Sequence, residues 1–225
     1  MKSSQERRGR KQQGGRSKRE DILAAATERF GRDGYEHTKW ADIARDVGVG
    51  PTALYHYFES KQHCLYEIMD DALADFRARF DAITARERDP ERALAAVIAD
   101  SFVLSDQEVL RNRVLVAEQG LLSRPSTSER EEQARQAARA RTRDLEFAWA
   151  SFLATAMREG AVPETDPRLL TRAVLGLYNS IWHWYRPNGI VALADVGEYF
   201  TKLALAIVGL PPTGRDVAQA DARAA

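Results

Sequence analysis

The stretch "GVGPTALYHYFESK", residues 48–61, decides the fold. Gly48 and Gly50 flank Val49, and Pro51 follows. The chain turns sharply there and enters a helix, because proline suits the first helical turn. Leu54 and Phe58, four apart, share the inward side with Ile43 and Val47 of the preceding apolar stripe. Residues at i, i+3 and i+4 are neighbours on a helix, so Thr52, Tyr55 and His56 fall together on the opposite side. Tyr57 lies at the flank, and Lys61 begins the next helix. Two short helices joined by a glycine-containing turn read as a helix-turn-helix. Hydroxyls, an imidazole and an ammonium on one exposed strip suit phosphate oxygens and base edges.

Helices extend in both directions from this unit. Upstream, Ser17 and Glu20 form a capping box, and Ile22, Leu23, Ala26 and Phe30 make a stripe of helical period that ends at Gly34. Thr38 reads as the N-cap of the second helix. Downstream, Ser60 caps a long fourth helix with Leu65, Ile68, Met69, Ala72, Phe76, Phe80 and Ile83 on one face. Asp89-Pro90 opens a fifth, carrying Leu94, Val97, Ile98 and Phe102. A sixth starts near Asp106 and carries Leu110, Leu115 and Leu121. A long charged seventh runs to about Gly160. The eighth runs from Asp166-Pro167 through Trp182, and the ninth spans roughly Leu193 to Val208. The reading is all-α: nine helices, no strand. We divide the chain into a disordered basic arm (1–16), a helix-turn-helix domain (17–62), a helical body (63–210) and a flexible tail (211–225).

Composition bounds the function. Of 225 residues, 44% are apolar and 29% charged, which is globular composition. "LALAIVGL" is far short of the roughly 20 apolar residues that span a bilayer, and the N-terminus lacks the apolar run of a secretory signal. Cys64 is the lone cysteine, so no intrachain disulfide forms, and a reducing cytosol fits. His37, His56, His63 and His183 lack metal-ligand spacing, and no glycine-rich phosphate loop follows a strand. The reading is no enzyme, no cofactor and no metal. Net charge is zero, but the first nineteen residues hold eight basic side chains against Glu6 alone. A basic arm on an acidic body points to a polyanion at one end.

Residues 17–61 resemble the DNA-binding head of the TetR family of bacterial transcriptional regulators. The likeness is carried by "ILAAATERFGRDGYEHT", "WADIARDVGV" and "LYHYFESK". The resemblance implies double-stranded operator DNA as a partner. By position it assigns DNA contacts to Thr38, Thr52, Tyr55, His56, Tyr57 and Lys61, the last to a phosphate. The plainer alternatives are that Tyr57 packs under Phe58 and that Lys61 is a solvated first-turn lysine. This chain departs from the family's habit at Gly50, where Ser or Thr often stands, and at Trp40, where an aliphatic residue or Thr is usual.

The resemblance further implies that helices four to seven enclose a ligand pocket, while helices eight and nine pair with those of a second copy in a homodimer. Apolar candidates for the pocket are Met69, Phe76, Phe102, Trp149, Phe152 and Met157. In "LYNSIWHWYRPNG", Tyr178, Asn179 and His183 are candidates too; Asn179 and His183 face either a pocket or the dimer seam. The expected effector is a small apolar molecule, and the "WYRP" ending suggests an acyl-CoA. The expected function is a cytoplasmic, ligand-responsive repressor released from a palindromic operator. The alternative is an effector-free architectural or partner-driven DNA-binding protein.

Overall fold

The structure, a computed structural model, describes residues 17–211. The basic arm of residues 1–16 and residues 212–225 of the tail lie outside the described residues. Among the described residues there are nine α-helices and no strand: α1 Lys18–Asp33, α2 Trp40–Asp46, α3 Pro51–Leu54, α4 Lys61–Arg86, α5 Pro90–Asp100, α6 Asp106–Glu118, α7 Glu129–Arg158, α8 Pro167–Trp184 and α9 Leu193–Ile207. A short 3-10 segment, Gln119–Ser123, follows α6. No helix among the described residues is long and apolar enough to cross a membrane.

Helix starts follow the caps. The Ser17 hydroxyl accepts from Glu20 N while the Glu20 carboxylate accepts from Ser17 N, at 2.8 Å for the latter. Ser60, Asp89 and Asp166 accept from the first-turn amides of α4, α5 and α8. Each satisfies an amide that the helix itself leaves unpaired. Three expected placements are corrected. Thr38 does not cap α2: the N-cap is Lys39, with no side-chain bond, and the buried Thr38 hydroxyl donates to Gly34 O at 2.8 Å. The hydroxyl finds its acceptor in the end of α1 instead. Phe102 and Leu121 lie beyond the ends of α5 and α6, Phe102 in a turn and Leu121 in the 3-10 segment.

Burial organises two cores. The first joins Ile22, Phe30, Ile43, Leu54 and Phe58 to Leu65 and Met69 of α4, and reaches Val114, Leu122 and Ala138. The second is built around Leu94, Trp149, Leu153, Ile181, Trp182 and Leu205. Full burial of each such large side chain contributes roughly 1.5–3 kcal/mol. Helix α4 serves both cores. At 1.5 Å per residue its 26 residues span about 39 Å, so it ties the recognition end to the body.

A close seam joins α1 to α6. Gly31 is buried, and a Cβ there would lie 2.8 Å from Leu110 Cβ. The Gly31 carbonyl accepts from Arg113 Nε at 3.1 Å, and Arg113 also donates to Tyr185 O after α8.

Candidate nucleic-acid interface and interior chambers

The turn between α2 and α3 is set by backbone bonds. Val47 N donates to Ile43 O, Gly48 N to Arg45 O and Val49 N to Ala44 O. Gly48 takes φ +68°, a left-handed conformation that glycine adopts without the Cβ penalty. Arg29 of α1 grips Asp46 at the end of α2 through two bonds, Nε to Oδ2 at 2.6 Å and Nη2 to Oδ1 at 2.9 Å. This pairing holds the Asp46 carboxyl below its usual range.

The recognition segment is shorter than a regular helix through Phe58. After Leu54 it continues as tightened turns: Tyr55 N donates to Thr52 O, His56 N to Ala53 O and Tyr57 N to Leu54 O. These are three-residue spacings of the 3-10 kind. Leu54 and Phe58 are wholly buried and anchor the segment. Phe58 meets Trp40 and His63 edge-on, with Arg19 stacked 5.1 Å from its ring centre. With one side anchored, Thr52, Tyr55 and His56 face solvent, Tyr55 at 54% exposure. Tyr57 is half-buried and packs against the first core.

Lys61 is placed differently from a solvated first-turn lysine. Its ammonium donates to Tyr35 O at 2.7 Å and Thr38 O at 3.0 Å, and sits 4.1 Å from the Tyr35 ring centre. Burial lowers its pKa from the ordinary lysine value, against the opposing pull of Glu36 and Glu118. Two of its three N–H bonds therefore tie α4 to the loop ahead of α2, leaving one for an outside acceptor. Lys61→Met is expected to cost about 1.5–3 kcal/mol of stability for the charged hydrogen bonds lost. Thermal denaturation measures it; an unchanged midpoint would contradict this tie.

Sequence reasoning missed three groups. Lys39 is exposed at the N-cap of α2. Buried His63 accepts from Glu59 N through Nδ1 at 3.2 Å, fixing the exit from the recognition segment. The third group is a latch from α7. Glu131 is buried and accepts from Ser60 Oγ, the α4 cap, and from Ser126 Oγ at 2.6 Å. Ser128 Oγ donates to Glu59. Buried Arg135 donates from Nε to Glu132 at 2.7 Å and from Nη1 to Leu122 O. The Arg135 bond, with help from Ser126 N–H and Gln136, holds the Glu132 carboxyl down to about 2. Its contribution is therefore complete above the ordinary carboxylate range near 4.3 and fades as pH falls toward 2.

The body holds three small chambers that share Phe76 and Tyr178 as walls. One is charged, with Asp75, Arg79, Asp100, Glu108 and Arg111. One is apolar, with Ile98, Phe102, Trp149, Val174 and Phe200. The third, with Leu122, Thr142, Glu146 and Asn179, holds about 90 Å³ and is the largest of them. Tyr178 is fixed where they meet: its hydroxyl accepts from Asn112 Nδ2 at 3.1 Å and donates to Ser101 O at 3.3 Å. Burial pushes its pKa up.

Of the expected pocket residues, Phe76, Phe102, Trp149, Tyr178 and Asn179 line these chambers. The others lie elsewhere. Met69 is buried in the first core, on the recognition side. Phe152 and Met157 pack against the second core and line none of the three chambers. His183 is exposed on α8 beside Trp184. Buried Cys64 has its thiol pKa pushed up by burial, which keeps it protonated. Among the described residues no group of His, Cys, Asp and Glu is placed to hold a metal ion.

Comparison with known proteins agrees with this architecture. The family profile described as "Bacterial regulatory proteins, tetR family" matches residues 22–68, and "Tetracyclin repressor-like, C-terminal domain" matches residues 107–208. The chain belongs to the TetR family of bacterial transcriptional regulators. Among curated TetR-family relatives, the HTH-type transcriptional repressor KstR2 of Mycobacterium tuberculosis is 26% identical over 200 residues, covering 88% of this chain and 95% of KstR2. Among solved structures, the TetR family regulator PfmR from Thermus thermophilus is 28% identical with a TM-score of 0.67, covering 84% of this chain and 97% of PfmR. AibR, solved in complex with isovaleryl coenzyme A and operator DNA, shares the TetR fold with a TM-score of 0.70 at 20% identity, over 88% of this chain and 100% of AibR.

Proposed function

We propose that this TetR-family regulator is a homodimeric repressor that an apolar effector releases from a palindromic operator. The observation that carries the reading is a link between chamber and DNA face. Leu122 lines the largest of the three chambers, and its carbonyl accepts from Arg135. Arg135 grips Glu132, and the neighbouring Glu131 accepts from the Ser60 cap directly behind the recognition segment. A molecule that displaces Leu122 acts on the latch that seats the DNA-binding residues Thr52, Tyr55 and His56. Lys39 and the remaining N–H of Lys61 serve phosphates, and buried Thr38 acts indirectly, its carbonyl holding the Lys61 ammonium in place.

The dimer surface is the outward side of α8 and α9. Leu169 and Trp184 of α8 and Tyr199, Leu203 and Ile207 of α9 are large, apolar and exposed. Large apolar side chains left exposed along two neighbouring helices suit an association site. His183, exposed next to Trp184, is available to that seam. Pairing there sets two recognition segments apart by the roughly 34–36 Å that successive major grooves demand. The relatives support the assignment: KstR2 is named a transcriptional repressor and a ketosteroid regulator, and AibR was solved with an acyl-CoA.

One observation favours the effector-free alternative. The three chambers together fall well short of the roughly 300–1,000 Å³ of ordinary ligand pockets. An effector must move Phe76 or Tyr178 and merge them. The dimeric operator reading is tested by enriching DNA from a random pool and footprinting the product. Two inverted half-sites centred an integral number of helical turns apart are expected; a single asymmetric site, or no enrichment, would contradict it.

A further inference from the structure

Four buried donor atoms lack a well-formed hydrogen bond among the described residues: Trp40 Nε1, Arg111 Nε, Trp149 Nε1 and Trp182 Nε1, the last of which approaches the Tyr178 hydroxyl. Trp40 and Trp182 line none of the three chambers. Arg111 lines the charged one, and Trp149, only 1% exposed, lines the apolar one. An indole N–H sealed from water without an acceptor is disfavoured, and native interiors rarely leave one so. The other side-chain hydrogens in the apolar chamber are already given away. Ser101 Oγ donates to Val97 O at 2.8 Å, and Tyr178 donates to Ser101 O. What the Trp149 N–H lacks is an acceptor.

Charge narrows the acceptor further. No acidic or basic side chain lines the apolar chamber. The chamber with Asn179 carries Glu146 and no cation. In the charged chamber Asp75, Asp100 and Glu108 outnumber Arg79 and Arg111, and both arginines are engaged with those carboxylates. A carboxylate in either of the other two would be buried without a counter-charge, and in the charged chamber it would meet three carboxylates already paired with the two arginines; both placements are disfavoured.

We propose that the interior binds an apolar molecule carrying an uncharged carbonyl oxygen, a ketone, ester or thioester, which accepts a hydrogen bond from the Trp149 indole N–H, and that it excludes free carboxylates. This rests on the ligand-responsive reading above and specifies the ligand chemistry of that site. A small apolar pocket with few polar anchors takes its orientation from such a bond. Phe76 is a wall of all three chambers, and its displacement gives the apolar tail of the molecule room beyond the carbonyl.

The test uses the full-length protein without DNA and three probes of equal chain length: 2-nonanone, nonane and nonanoate. Affinities are read from tryptophan fluorescence at equal free concentration. The ketone is expected to bind about tenfold tighter than the hydrocarbon, the gain of one net hydrogen bond, and nonanoate weakest. Trp149→Phe keeps a ring in the core and removes the donor. It is expected to erase the ketone's advantage while leaving nonane affinity within about twofold. A second measurement needs no folded variant: in the unaltered protein, one indole N–H proton resonance should move downfield with 2-nonanone and not with nonane. Equal affinity for ketone and hydrocarbon, preference for nonanoate, an advantage that survives Trp149→Phe, or binding of none of the three would each overturn the proposal. Ketone binding that depends on Trp149 but leaves operator affinity unchanged would uphold it and refute the ligand-responsive reading instead.

Discussion

Tyr55→Ala is expected to cut the ratio of operator to random-DNA affinity by about 5- to 150-fold, the roughly 1–3 kcal/mol carried by a contact to a base edge. Tyr55 is 54% exposed, on a segment whose opposite side is anchored by Leu54 and Phe58 at 0% exposure. The substitution therefore removes a reading group without emptying a core site, and the melting midpoint should stay within experimental scatter. Random-DNA affinity and its salt dependence should change little, since a tyrosine hydroxyl neutralises no phosphate. Fluorescence anisotropy on both DNAs, across a range of salt, separates these terms. A ratio that survives while the fold is intact would take Tyr55 out of base reading.

Gly31→Val is expected to destabilise the chain by about 1–3 kcal/mol, the usual result of forcing extra carbon into a packed contact. For a chain of this size that is about 2–12 °C in the midpoint. Even one added Cβ would lie 2.8 Å from Leu110 Cβ and Cδ2 and 3.2 Å from Leu110 Cα. Because the nearest backbone atom is also close, a Leu110 rotamer change alone does not relieve the clash. α1 must move away from α6, stretching the Arg113 bond to Gly31 O at 3.1 Å. The seam joins the head to the body, so operator affinity should fall with stability. Adding Leu110→Gly removes both the Cβ and the Cδ2 that the valine meets, and the pair should be less destabilised than the sum of the single changes by about 0.5–3 kcal/mol. Strict additivity would show that Gly31 and Leu110 are not the contact that matters.

Much of the fold was legible because local chemistry agreed with it. Ser17 with Glu20, Ser60, Asp89-Pro90 and Asp166-Pro167 announced helix starts, and each cap bond forms. Leu54 and Phe58 at helical spacing fixed the buried side of the recognition segment, and hence the exposure of Thr52, Tyr55 and His56. Thr38 misled because a threonine ahead of an apolar stripe looks like a cap, whereas its hydroxyl is taken by Gly34 O four residues back. The latch was hidden for a different reason. Glu131 and Arg135 lie in a long charged helix with no local sign of burial, and the Ser60 that donates to Glu131 is 71 residues away in sequence. The chambers were half legible: helical spacing marks an aromatic as inward-facing, but not which core it enters. Met69 went to the first core, while Phe76, about two turns along the same helix, became the shared chamber wall. His183 and Asn179 are four apart on α8, yet Asn179 lines a chamber and His183 is exposed.

The coupling of interior to DNA face is tested most directly by titrating the operator complex with simple ketones, which are uncharged, and with acyl-CoA thioesters, whose acyl chain and carbonyl are uncharged while their phosphates stay outside the chambers. To shift the balance at all, the ligand must prefer the form that does not fit operator DNA, since equal affinity for both forms changes nothing. A hundredfold loss of operator affinity at saturating ligand requires about 2.7 kcal/mol of coupling. By reciprocity the operator must weaken ligand binding by the same factor. The expected result is a compound that binds the free protein, lowers operator affinity at least about tenfold, and loses that effect in Glu131→Gln, where the acceptor for Ser60 and Ser126 is weakened. Compounds that bind the interior yet leave operator affinity untouched would contradict the ligand-responsive account and support a regulator that works without an effector.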